Sequence, residues 1–412
     1  MEDEKNLAKF LTMDDFNYKD KVVLLRVDFN SPIDPNTKKI LDDTRIRSHS
    51  ETVAELSKKG AKVVILAHQG RPGDPDYSSL ENHAKALSKI INKPVNYVDD
   101  IYGEKAKKAI EALKPGEILV LKNVRDYPEE TKSKSPEEHA KSELVQKLAP
   151  LADFFVNDAF AAAHRGHASI VGFTVVLPTA AGRVMEKELK ALEKVTTARE
   201  TPCLYILGGA KADDSAAITE YVLSKGTADN VLTGGVIGHL FLYAKGYDIG
   251  ETNRKYLEEK GFTAIIPKIQ DLFKRFDGKI VLPDDLAVEV DGKRREIDVS
   301  ELPTSYPIYD IGSKTIEKYA SMLKKAKAIV VNGPMGVYEN KEFLKGTKGV
   351  FEAIAESKAF SVAGGGHTVG ALDELGLQKR ISYVSTGGGA LMEFLTGKTL
   401  PGVDALEKAK RA

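Results

Sequence analysis

The chain has 412 residues, more than one hydrophobic core normally organises, so two domains are expected. Its 60 basic and 60 acidic residues give a net charge of zero, which argues against a general binder of nucleic acid or other polyanions, so any basic site must be local. The single cysteine excludes an internal disulfide, and because residues 1–9 are charged and no apolar run approaches membrane-spanning length, the cytosol is the expected location.

In the first half of the chain, short apolar segments alternate with helical patterns. Residues 22–25 form an unbroken apolar run that is typical of a strand buried on both faces. Further strands are predicted at 62–67, 95–98, 118–121 and 153–156, and helices at 45–59, 81–91, 104–113 and 136–148. This regular alternation indicates a parallel, doubly wound sheet.

The alternation breaks in the middle of the chain and then starts again. Residues 172–178 interrupt it, and residues 180–197 are predicted to form one long helix without a preceding strand, which we interpret as the connector between two domains. In the second half, strands are predicted at 202–207, 230–232, 328–331, 359–362 and 381–384, with a strand and a small β excursion within 280–299.

These elements predict an α/β protein built of two Rossmann-like, three-layer αβα domains with parallel sheets, joined by a hinge helix. The first domain is expected to span residues 1–178 and to include the amphipathic tail, residues 397–412, folded back onto it. The second domain is expected to span residues 179–396.

Polar and basic side chains follow the predicted strands of the first half, at the sheet edge where open α/β sheets place their ligands. Arginine suits bidentate binding of carboxylate or phosphate, so the set predicts a cationic basin for a small anion that carries both groups. Its members are Arg26, Asp28, Asn30, Arg45, His68, Arg71, Arg125, His164, Arg165 and His167. For Asp28 and Asn30 taken alone, the start of a turn is an equally good explanation, and any single arginine is more often a surface ion-pair partner.

Glycine-rich turns follow the predicted strands of the second half. A strand, a glycine turn and a helix together expose backbone N–H groups at the helix N-terminus, where phosphate binds. Such turns contain Gly208–Gly209, Gly234–Gly235, Gly364–Gly366 and Gly387–Gly389. Met392 stands where the Walker pattern needs a glycine, and Val369 or Met392 stands at the third glycine position of the dinucleotide fingerprint. Neither pattern is satisfied, so this half is predicted to bind phosphate in another way.

An anion-binding half and a nucleotide-like half, joined by a helix, indicate phosphoryl transfer across a cleft. Such chemistry depends on positioning and charge neutralisation more than on covalent help. Lys211 stands at a glycine-rich strand end, where a mobile cation can follow the moving phosphoryl group. The alternative for Lys211 is an ordinary solvated lysine.

Six motifs in this chain, in this order, resemble those of the phosphoglycerate kinase family over essentially the whole length. They are RVDFNSP at 26–32, HQGRP at 68–72, NDAF at 157–160 with HR at 164–165, LGGAK at 207–211, NGPMGVYE at 332–339 and STGGGA at 385–390. The resemblance implies a phosphotransferase with a carboxyl group as acceptor (EC 2.7.2.3), which acts in glycolysis and gluconeogenesis. ATP and 3-phosphoglycerate would be converted reversibly into ADP and 1,3-bisphosphoglycerate with Mg²⁺, by a monomer or homodimer with no nucleic-acid or membrane partner.

The same resemblance implies the roles of individual residues. The ligands of 3-phosphoglycerate would be Asp28, Phe29, Asn30, Arg45, His68, Gln69, Gly70, Arg71, Arg125 and Arg165. The transferring phosphoryl group would be stabilised by Arg45 and Lys211 as the catalytic pair. The nucleotide would be held by Gly209, Lys211, Gly235, Asn332, Glu339, Gly365, Gly366, His367 and Thr368, with Glu339 accepting from the ribose hydroxyls. The phosphate would be positioned by the backbone of Gly387, Gly388 and Gly389.

Two positions depart from the pattern of many family members and resemble the archaeal branch instead. His367 stands where an aspartate usually helps with the Mg²⁺-nucleotide, so the metal ligands stay open: phosphates and water, or an acid such as Asp284 or Asp285. A helix cap is then one role left for His367. Ser215 stands where many members have a second lysine, which puts one nucleotide-phosphate contact in doubt.

The mechanism implied is direct in-line transfer without a phosphoenzyme, after hinge closure brings the substrates together and excludes water. The hinge is expected within residues 173–192 and 396–401. Two other functions stay open: a non-catalytic sensor that binds nucleotide and a small phosphorylated acid, and a kinase for a different phosphorylated acid.

Overall fold

The computed structural model describes residues 9–197 and 199–411. The chain divides into two compact units. Unit 1 extends to Leu189 and also takes in the chain from Thr399 onward, and unit 2 comprises Lys190–Lys398. Each unit is built around one six-stranded sheet.

The elements up to the end of the connecting helix alternate between strand and helix. The strands are β1 (Val22–Arg26), β2 (Lys62–Leu66), β3 (Asn96–Tyr97), β4 (Ile118–Val120), β5 (Phe154–Asn157) and β6 (Thr179–Ala181). The helices are α1 (Thr44–Lys58), α2 (Glu81–Ile91), α3 (Glu104–Glu111), α4 (Pro136–Ala140), α5 (Glu143–Leu148), α6 (Ala168–Val171) and α7 (Arg183–Val195).

The remaining elements begin at residue 203. The strands are β7 (Cys203–Leu207), β8 (Asn230–Thr233), β9 (Ile280–Val281), β10 (Asp285–Val290), β11 (Lys293–Asp298), β12 (Ile308–Ile311), β13 (Ala328–Asn332), β14 (Phe360–Gly364) and β15 (Tyr383–Val384). The helices are α8 (Ala212–Ser224), α9 (Gly235–Lys245), α10 (Glu251–Glu259), α11 (Ile266–Arg275), α12 (Ser313–Lys325), α13 (Lys345–Glu356), α14 (Gly366–Glu374), α15 (Gly389–Leu395) and α16 (Pro401–Arg411).

Unit 1 has a parallel sheet with the strand order β3-β4-β2-β1-β5-β6. Strand β1 pairs on one side with β2 and on the other with β5, so the order of connection reverses between β1 and β5. In open α/β sheets the crevice outside the carboxyl ends of strands at such a reversal is the usual ligand site.

Alternating side chains of β1 enter two different hydrophobic clusters. Val23 and Leu25 pack in one cluster with Leu56 of α1, whereas Leu24 packs in the other with Phe155 of β5. These side chains are fully buried, as expected for a central parallel strand that is covered by helices on both faces.

Unit 2 has a second parallel sheet with the order β15-β14-β13-β7-β8-β9. The order of connection reverses between β7 and β13. Strands β11-β10-β12 form a separate antiparallel sheet, which is the β excursion predicted from the sequence, extended by β12. The predicted class, two α/β domains with parallel sheets, is confirmed.

Two predicted elements are wrong in detail. The single helix predicted at 136–148 is two helices, because α4 ends at Ala140 and Ser142 caps α5 by accepting a hydrogen bond from the backbone N–H of Val145. The helix predicted at 180–197 begins only at Arg183 and is preceded by β6, which pairs with β5. Strand β6 has three small residues, too few to show a pattern in the sequence.

The C-terminal helix α16 packs on unit 1. The backbone N–H of Gly402 donates to the carbonyl of Ala163 at 2.8 Å. Ala405 is buried in a cluster with Ile170 and Val171 of α6. The amphipathic tail therefore completes the apolar surface of unit 1.

Candidate functional site

At the carboxyl end of β1, Asp28 and Arg45 form an ion pair. Asp28 follows the strand and is buried, and Arg45 lies in the first turn of α1 with its side chain 39% exposed. The Arg45 guanidinium donates to the Asp28 carboxylate. Arg45 is thus held at the sheet edge while part of it stays open to solvent.

Arg26, the last residue of β1, is a fully buried arginine. Its Nε donates to the hydroxyl of Ser169 at 2.7 Å, and that hydroxyl donates to the carboxylate of Glu130 at 2.5 Å. Its Nη2 lies 3.1 Å from Nδ1 of His68. A guanidinium can only donate, so Nδ1 of His68 accepts and the ring proton is on Nε2.

Arg125 lies close to other cations at the same edge. It donates to the carbonyl of Gly70 at 2.6 Å. Burial, and then the charges of Arg165, Arg26 and Arg71, together lower the pKa of Arg125 to about 10. Like charges this close repel, so the cluster is prepared for an anion that would relieve the repulsion.

Two histidines among these arginines are held neutral. Burial, and then the charges of Arg26 and neighbouring arginines, lower the pKa of His68 well below its ordinary value. The same causes lower the pKa of His167 to about 3. At physiological pH both rings therefore offer one donor and one acceptor rather than a positive charge.

The loops after β1 and β2 are joined by side chains at the site. The side-chain oxygen of Asn30 accepts from the backbone N–H of Gly70 at 2.8 Å, and the fully buried Gln69 side chain both accepts from and donates to the backbone of Ser31. Gly70 has φ +61°, and a Cβ there would lie 2.6 Å from the backbone of Asp76. Phe29 is fully buried. Gln69 and Phe29 therefore support the site instead of facing it.

In unit 2, two glycine turns interlock at the reversal between β7 and β13. The backbone N–H of Gly209 donates to the carbonyl of Pro334 at 2.8 Å, and that of Gly208 donates to the carbonyl of Asn332 at 2.9 Å. A Cβ on Gly333, which has φ +96°, would lie 2.3 Å from the backbone of Gly208. Glycine is required here because two backbones approach closely.

Beside these turns lies a cavity of about 990 Å³. Four of the predicted nucleotide residues line it, namely Gly209, Gly235, Glu339 and His367. Aromatic and apolar side chains complete the wall, among them Tyr256, Tyr309 and Val337. An apolar wall with a few polar groups and a glycine-lined end suits a nucleotide.

The turn after β14 lies against β13. A Cβ on Gly365, which has φ +91°, would lie 2.4 Å from the side-chain oxygen of Asn332. The Thr368 hydroxyl accepts from the backbone N–H of Gly333 at 2.7 Å. Asn332, Gly365 and Thr368 are thus brought together with the glycine turns, and Gly366 begins α14.

Lys211 and residues 387–389 lie where helices of unit 2 begin. Lys211 is exposed and immediately precedes α8. Gly388 has φ +51° and precedes α15, whose first residue is Gly389. The backbone N–H of Gly387 donates to the Ser385 hydroxyl at 3.0 Å. Both positions present polar groups near a helix N-terminus, which favours phosphate.

The structure limits the roles that are possible for His367 and Ser215, the two positions that depart from the family pattern. His367 is not a cap, since Gly365 occupies the N-cap position of α14, and the exposed His367 ring lies 3.8 Å from the Glu339 carboxylate. Ser215 is fully buried in α8, and its hydroxyl has no hydrogen-bond partner among the described residues. A side chain so enclosed does not reach a ligand.

The two acids considered for the metal are both engaged. Asp285 caps α12 by accepting from the backbone N–H groups of Lys314 and Thr315 at 2.9 and 2.8 Å. Asp284 pairs with Lys318 at 2.6 Å. In residues 9–197 and 199–411, no group of three or more His, Cys, Asp or Glu side chains is arranged to hold a metal ion.

Sequence reasoning did not single out His49 and Asp158 as functional. Asp158 belongs to the NDAF motif, but its side chain received no role, and His49 lies in the predicted helix four residues after Arg45. That spacing puts both side chains on one helix face and was the available signal. In the structure their side chains meet beside Asp28.

The chain has two α/β units, each with a parallel sheet. One carries clustered guanidinium groups at its sheet edge and the other a glycine-lined cavity, and this combination is typical of an α/β phosphotransferase. Residues 13–398 match the family model for phosphoglycerate kinase. The chain belongs to the phosphoglycerate kinase family.

Relatives in sequence and structure agree with this membership. The chain is 50% identical over 401 residues to the phosphoglycerate kinase of Methanobacterium bryantii, which covers 97% of this chain and 98% of that protein. It is 51% identical over 409 residues to that of Methanococcus maripaludis, with 97% and 98% covered. The crystal structure of phosphoglycerate kinase from Pyrococcus horikoshii OT3 superposes with a TM-score of 0.88 at 43% identity and covers 97% of this chain and 99% of that one.

Family membership confirms several predictions. The chain is a phosphotransferase of glycolysis that reversibly converts ATP and 3-phosphoglycerate into ADP and 1,3-bisphosphoglycerate. Mg²⁺ accompanies the nucleotide. The resemblance to the archaeal branch is confirmed as well. Among the described residues, no helix combines the length and apolarity that crossing a bilayer would require.

Proposed function

We propose that unit 1 binds 3-phosphoglycerate at the carboxyl edge of its sheet. The observation that carries the proposal is the cationic cluster of Arg26, Arg125 and Arg165, in which burial and then the neighbouring positive charges lower the pKa of Arg125. An anion with a phosphate at one end and a carboxylate at the other relieves the repulsion among these charges. The further contacts proposed are those of Asp28, Asn30, Arg45, His68, Gly70 and Arg71, with Phe29 and Gln69 holding the loops behind them.

We propose that unit 2 binds the nucleotide in the cavity of about 990 Å³. The phosphates would lie at the glycine turns, where backbone N–H groups and helix N-termini favour negative charge. Glu339, whose carboxylate is exposed and which lines the cavity, would accept hydrogen bonds from the ribose hydroxyls. The other proposed contacts are Gly209, Gly235, Asn332, Gly365, Gly366, His367 and Thr368, with Gly387 to Gly389 positioning the transferred phosphate.

The proposed mechanism is direct in-line transfer. The carboxylate of 3-phosphoglycerate is already ionised near neutral pH and attacks the terminal phosphorus of ATP without a general base. The acyl-phosphate bond forms as the bond from that phosphorus to the bridging oxygen breaks, and ADP leaves with the electron pair. Charge spreads over the phosphoryl oxygens in the transition state, so the protein contributes mainly positive charge and position. Arg45, held by Asp28, and Lys211, at the start of α8, would supply that charge.

Mg²⁺ enters with ATP as part of the substrate. With Asp284 and Asp285 engaged in structural contacts, no carboxylate of this chain is assigned to the ion. Phosphate oxygens and water satisfy the preference of Mg²⁺ for oxygen ligands. The histidine at 367 is compatible with this arrangement, because the ion does not then depend on that side chain.

Transfer requires that the two bound substrates meet, so we propose that the units close on one another around a hinge within residues 173–192 and 396–401. Two facts support these positions: unit 1 gives way to unit 2 at Leu189, and the chain returns to unit 1 at Thr399. Closure would also keep water from hydrolysing the acyl phosphate. We further propose a cytosolic enzyme that acts as a monomer or homodimer.

A coupled assay of ADP formation tests the proposed function. We expect ADP to appear only when ATP, Mg²⁺ and 3-phosphoglycerate are all present, and other phosphorylated acids to compete weakly. Tight nucleotide binding with no turnover would indicate the non-catalytic sensor. Faster turnover with another phosphorylated acid would indicate a kinase of different specificity.

A further inference from the structure

A buried histidine and a buried aspartate lie directly behind the proposed 3-phosphoglycerate site. His49 of α1 is 4% exposed and Asp158, just after β5, is fully buried. Nδ1 of His49 lies 2.7 Å from the Asp158 carboxylate. On the other side of the ring, the backbone N–H of Asp28 donates to Nε2 at 3.2 Å.

These contacts fix the protonation of the ring. Nε2 accepts a hydrogen bond from a backbone donor, so it carries no proton. The proton is therefore on Nδ1 and is donated to Asp158, which makes His49 a neutral ring of one defined tautomer. A proton on Nε2 would face the N–H of Asp28 and leave a buried donor unpaired.

Asp158 continues the chain of contacts to helix α7. Its second oxygen accepts from the backbone N–H of Val184 at 2.8 Å, in the first turn of α7, where negative charge is favoured. A Cβ on Gly182 would lie 2.2 Å from that oxygen, so the start of α7 lies tightly against Asp158. Helix α7 is the segment in which unit 1 ends, at Leu189.

Helix α1 holds α7 through the same face that carries His49. The Thr52 hydroxyl accepts from the backbone N–H of Arg183 at 3.0 Å, and the Glu55 carboxylate receives the Arg183 guanidinium at 2.8 and 2.7 Å. Arg45, His49, Thr52 and Glu55 follow one another at intervals of three or four residues, which places them along one helix face. That face leads from the substrate site to the first turn of α7.

We infer that the His49–Asp158 pair is a positioning element that ties the strand end bearing Asp28, and so the Asp28–Arg45 ion pair, to the start of α7. The inference rests on the proposed site for 3-phosphoglycerate. Neither side chain of the pair touches the substrate. The pair holds the backbone of Asp28 in place, and occupancy of the site stiffens the first turn of α7 through Asp158.

Two substitutions of His49 separate this role from simple packing. Asparagine places an amide near the position of Nδ1 and keeps the contact to Asp158, but it leaves the N–H of Asp28 without an acceptor. Glutamine places its amide near the position of Nε2 and restores that acceptor, but it loses the contact to Asp158. The KM for 3-phosphoglycerate therefore reports the contact to Asp28, and hydrogen exchange reports the contact to Asp158. We expect His49→Asn to raise the KM for 3-phosphoglycerate about tenfold, as loss of one buried hydrogen bond predicts, and His49→Gln to raise it less than about threefold.

Asp158→Asn tests the tautomer. The amide of asparagine has the same shape, but its nitrogen only donates. That nitrogen must therefore face another donor, which is either Nδ1–H of His49 or the backbone N–H of Val184. We expect an increase in the KM for 3-phosphoglycerate similar to that of His49→Asn, with the KM for ATP unchanged. The matched control is Glu51→Gln, which removes an exposed ion pair to Lys187 between the same two helices and should change neither constant.

Amide hydrogen exchange measures whether binding of 3-phosphoglycerate is coupled to the first turn of α7 through Asp158. In the native chain and in Glu51→Gln, 3-phosphoglycerate should slow exchange of the peptide that carries Val184, and in Asp158→Asn it should not. Equal kinetics of His49→Asn and His49→Gln, or equal changes in the KM for both substrates, would overturn the inference even if Asp158→Asn failed to fold. A native chain that does not turn over 3-phosphoglycerate would instead overturn the proposed function itself, and this inference with it.

Discussion

At the scale of the residue, the surroundings of a side chain set its chemistry more than its type does. His68 lies among arginines and accepts a hydrogen bond from Arg26, so it is a neutral donor through Nε2 and adds no charge to the basin. Ser215 shows the opposite case, a polar side chain that burial removes from the site. The positive charge of the basin therefore comes from its arginines.

The first prediction concerns the charge of His68. Because burial and neighbouring guanidinium groups disfavour its protonated form, the ring should remain neutral from pH 8 down to pH 5.5. Histidine resonances assigned by comparison with His68→Gln should show no titration for this ring across that range. A midpoint near the ordinary value of about 6.5 would contradict the buried, arginine-lined environment.

At the scale of the element, strands and helices with strong patterns were predicted well from the sequence. Helix α2 matches the predicted range, and α1 and the central strands match within one or two residues. These segments are buried, so their sequences carry clear apolar runs or helical periodicity. The three-residue β6 was missed, since its pairing with β5 is a tertiary contact that no local pattern announces. The break between α4 and α5 was also missed, because it depends on a cap at Ser142.

For the candidate site, strand ends and glycine turns predicted the regions, and the family resemblance predicted the residues, whose roles stay predictions. What the sequence could not show is which side chains face a ligand: Phe29 and Gln69 are buried supports, and Asp285 is a helix cap. Burial and hydrogen-bond direction arise only when distant segments pack together.

The second prediction concerns the contact between α1 and α7. Two hydrogen bonds from the Arg183 guanidinium, with help from Lys59, lower the pKa of Glu55 to about 2. A lowered carboxyl pKa contributes stability that is present above the unfolded value of about 4.5 and is lost as the pH falls toward 2. Glu55→Gln should therefore cost about 1–2 kcal/mol at pH 7, as loss of a charge-assisted hydrogen bond predicts.

The cost of Glu55→Gln should shrink as the pH falls below 4.5, because the carboxyl group of the unfolded chain then takes up a proton while that of the folded chain stays ionised down to a pH of about 2. Urea unfolding of both chains between pH 7 and pH 3 measures this difference. Glu51→Gln serves as the control, since its exposed ion pair should contribute little at any pH. A difference for Glu55→Gln that stays constant with pH would contradict the assigned ion pair.

At the scale of the whole molecule, the proposed chemistry depends on two units that each bind one substrate. Neither unit alone carries both residues that we propose as catalytic, since Arg45 belongs to unit 1 and Lys211 to unit 2. The units are joined by two chain crossings, at Leu189 and at Thr399. This arrangement explains why we propose closure as a step of the reaction.

The third prediction concerns closure. Small-angle X-ray scattering should show a smaller radius of gyration when 3-phosphoglycerate and the Mg²⁺-nucleotide are bound together than when either is bound alone. The reason is that each substrate alone contacts one unit and cannot stabilise the closed state. The same radius in the doubly bound and free protein would contradict hinge closure.

The central claim is that this chain transfers a phosphoryl group to 3-phosphoglycerate with the charge of Arg45 stabilising the transition state. The most direct test is the turnover of ATP, Mg²⁺ and 3-phosphoglycerate by the native chain and by Arg45→Ala, both at saturating substrate. We predict 3-phosphoglycerate-dependent ADP formation by the native chain and a kcat lower by about 10²-fold or more in Arg45→Ala, as expected when a charge on the transition state is lost. An unchanged kcat with only a raised KM would remove Arg45 from the catalytic role, and no turnover by the native chain would contradict the account as a whole.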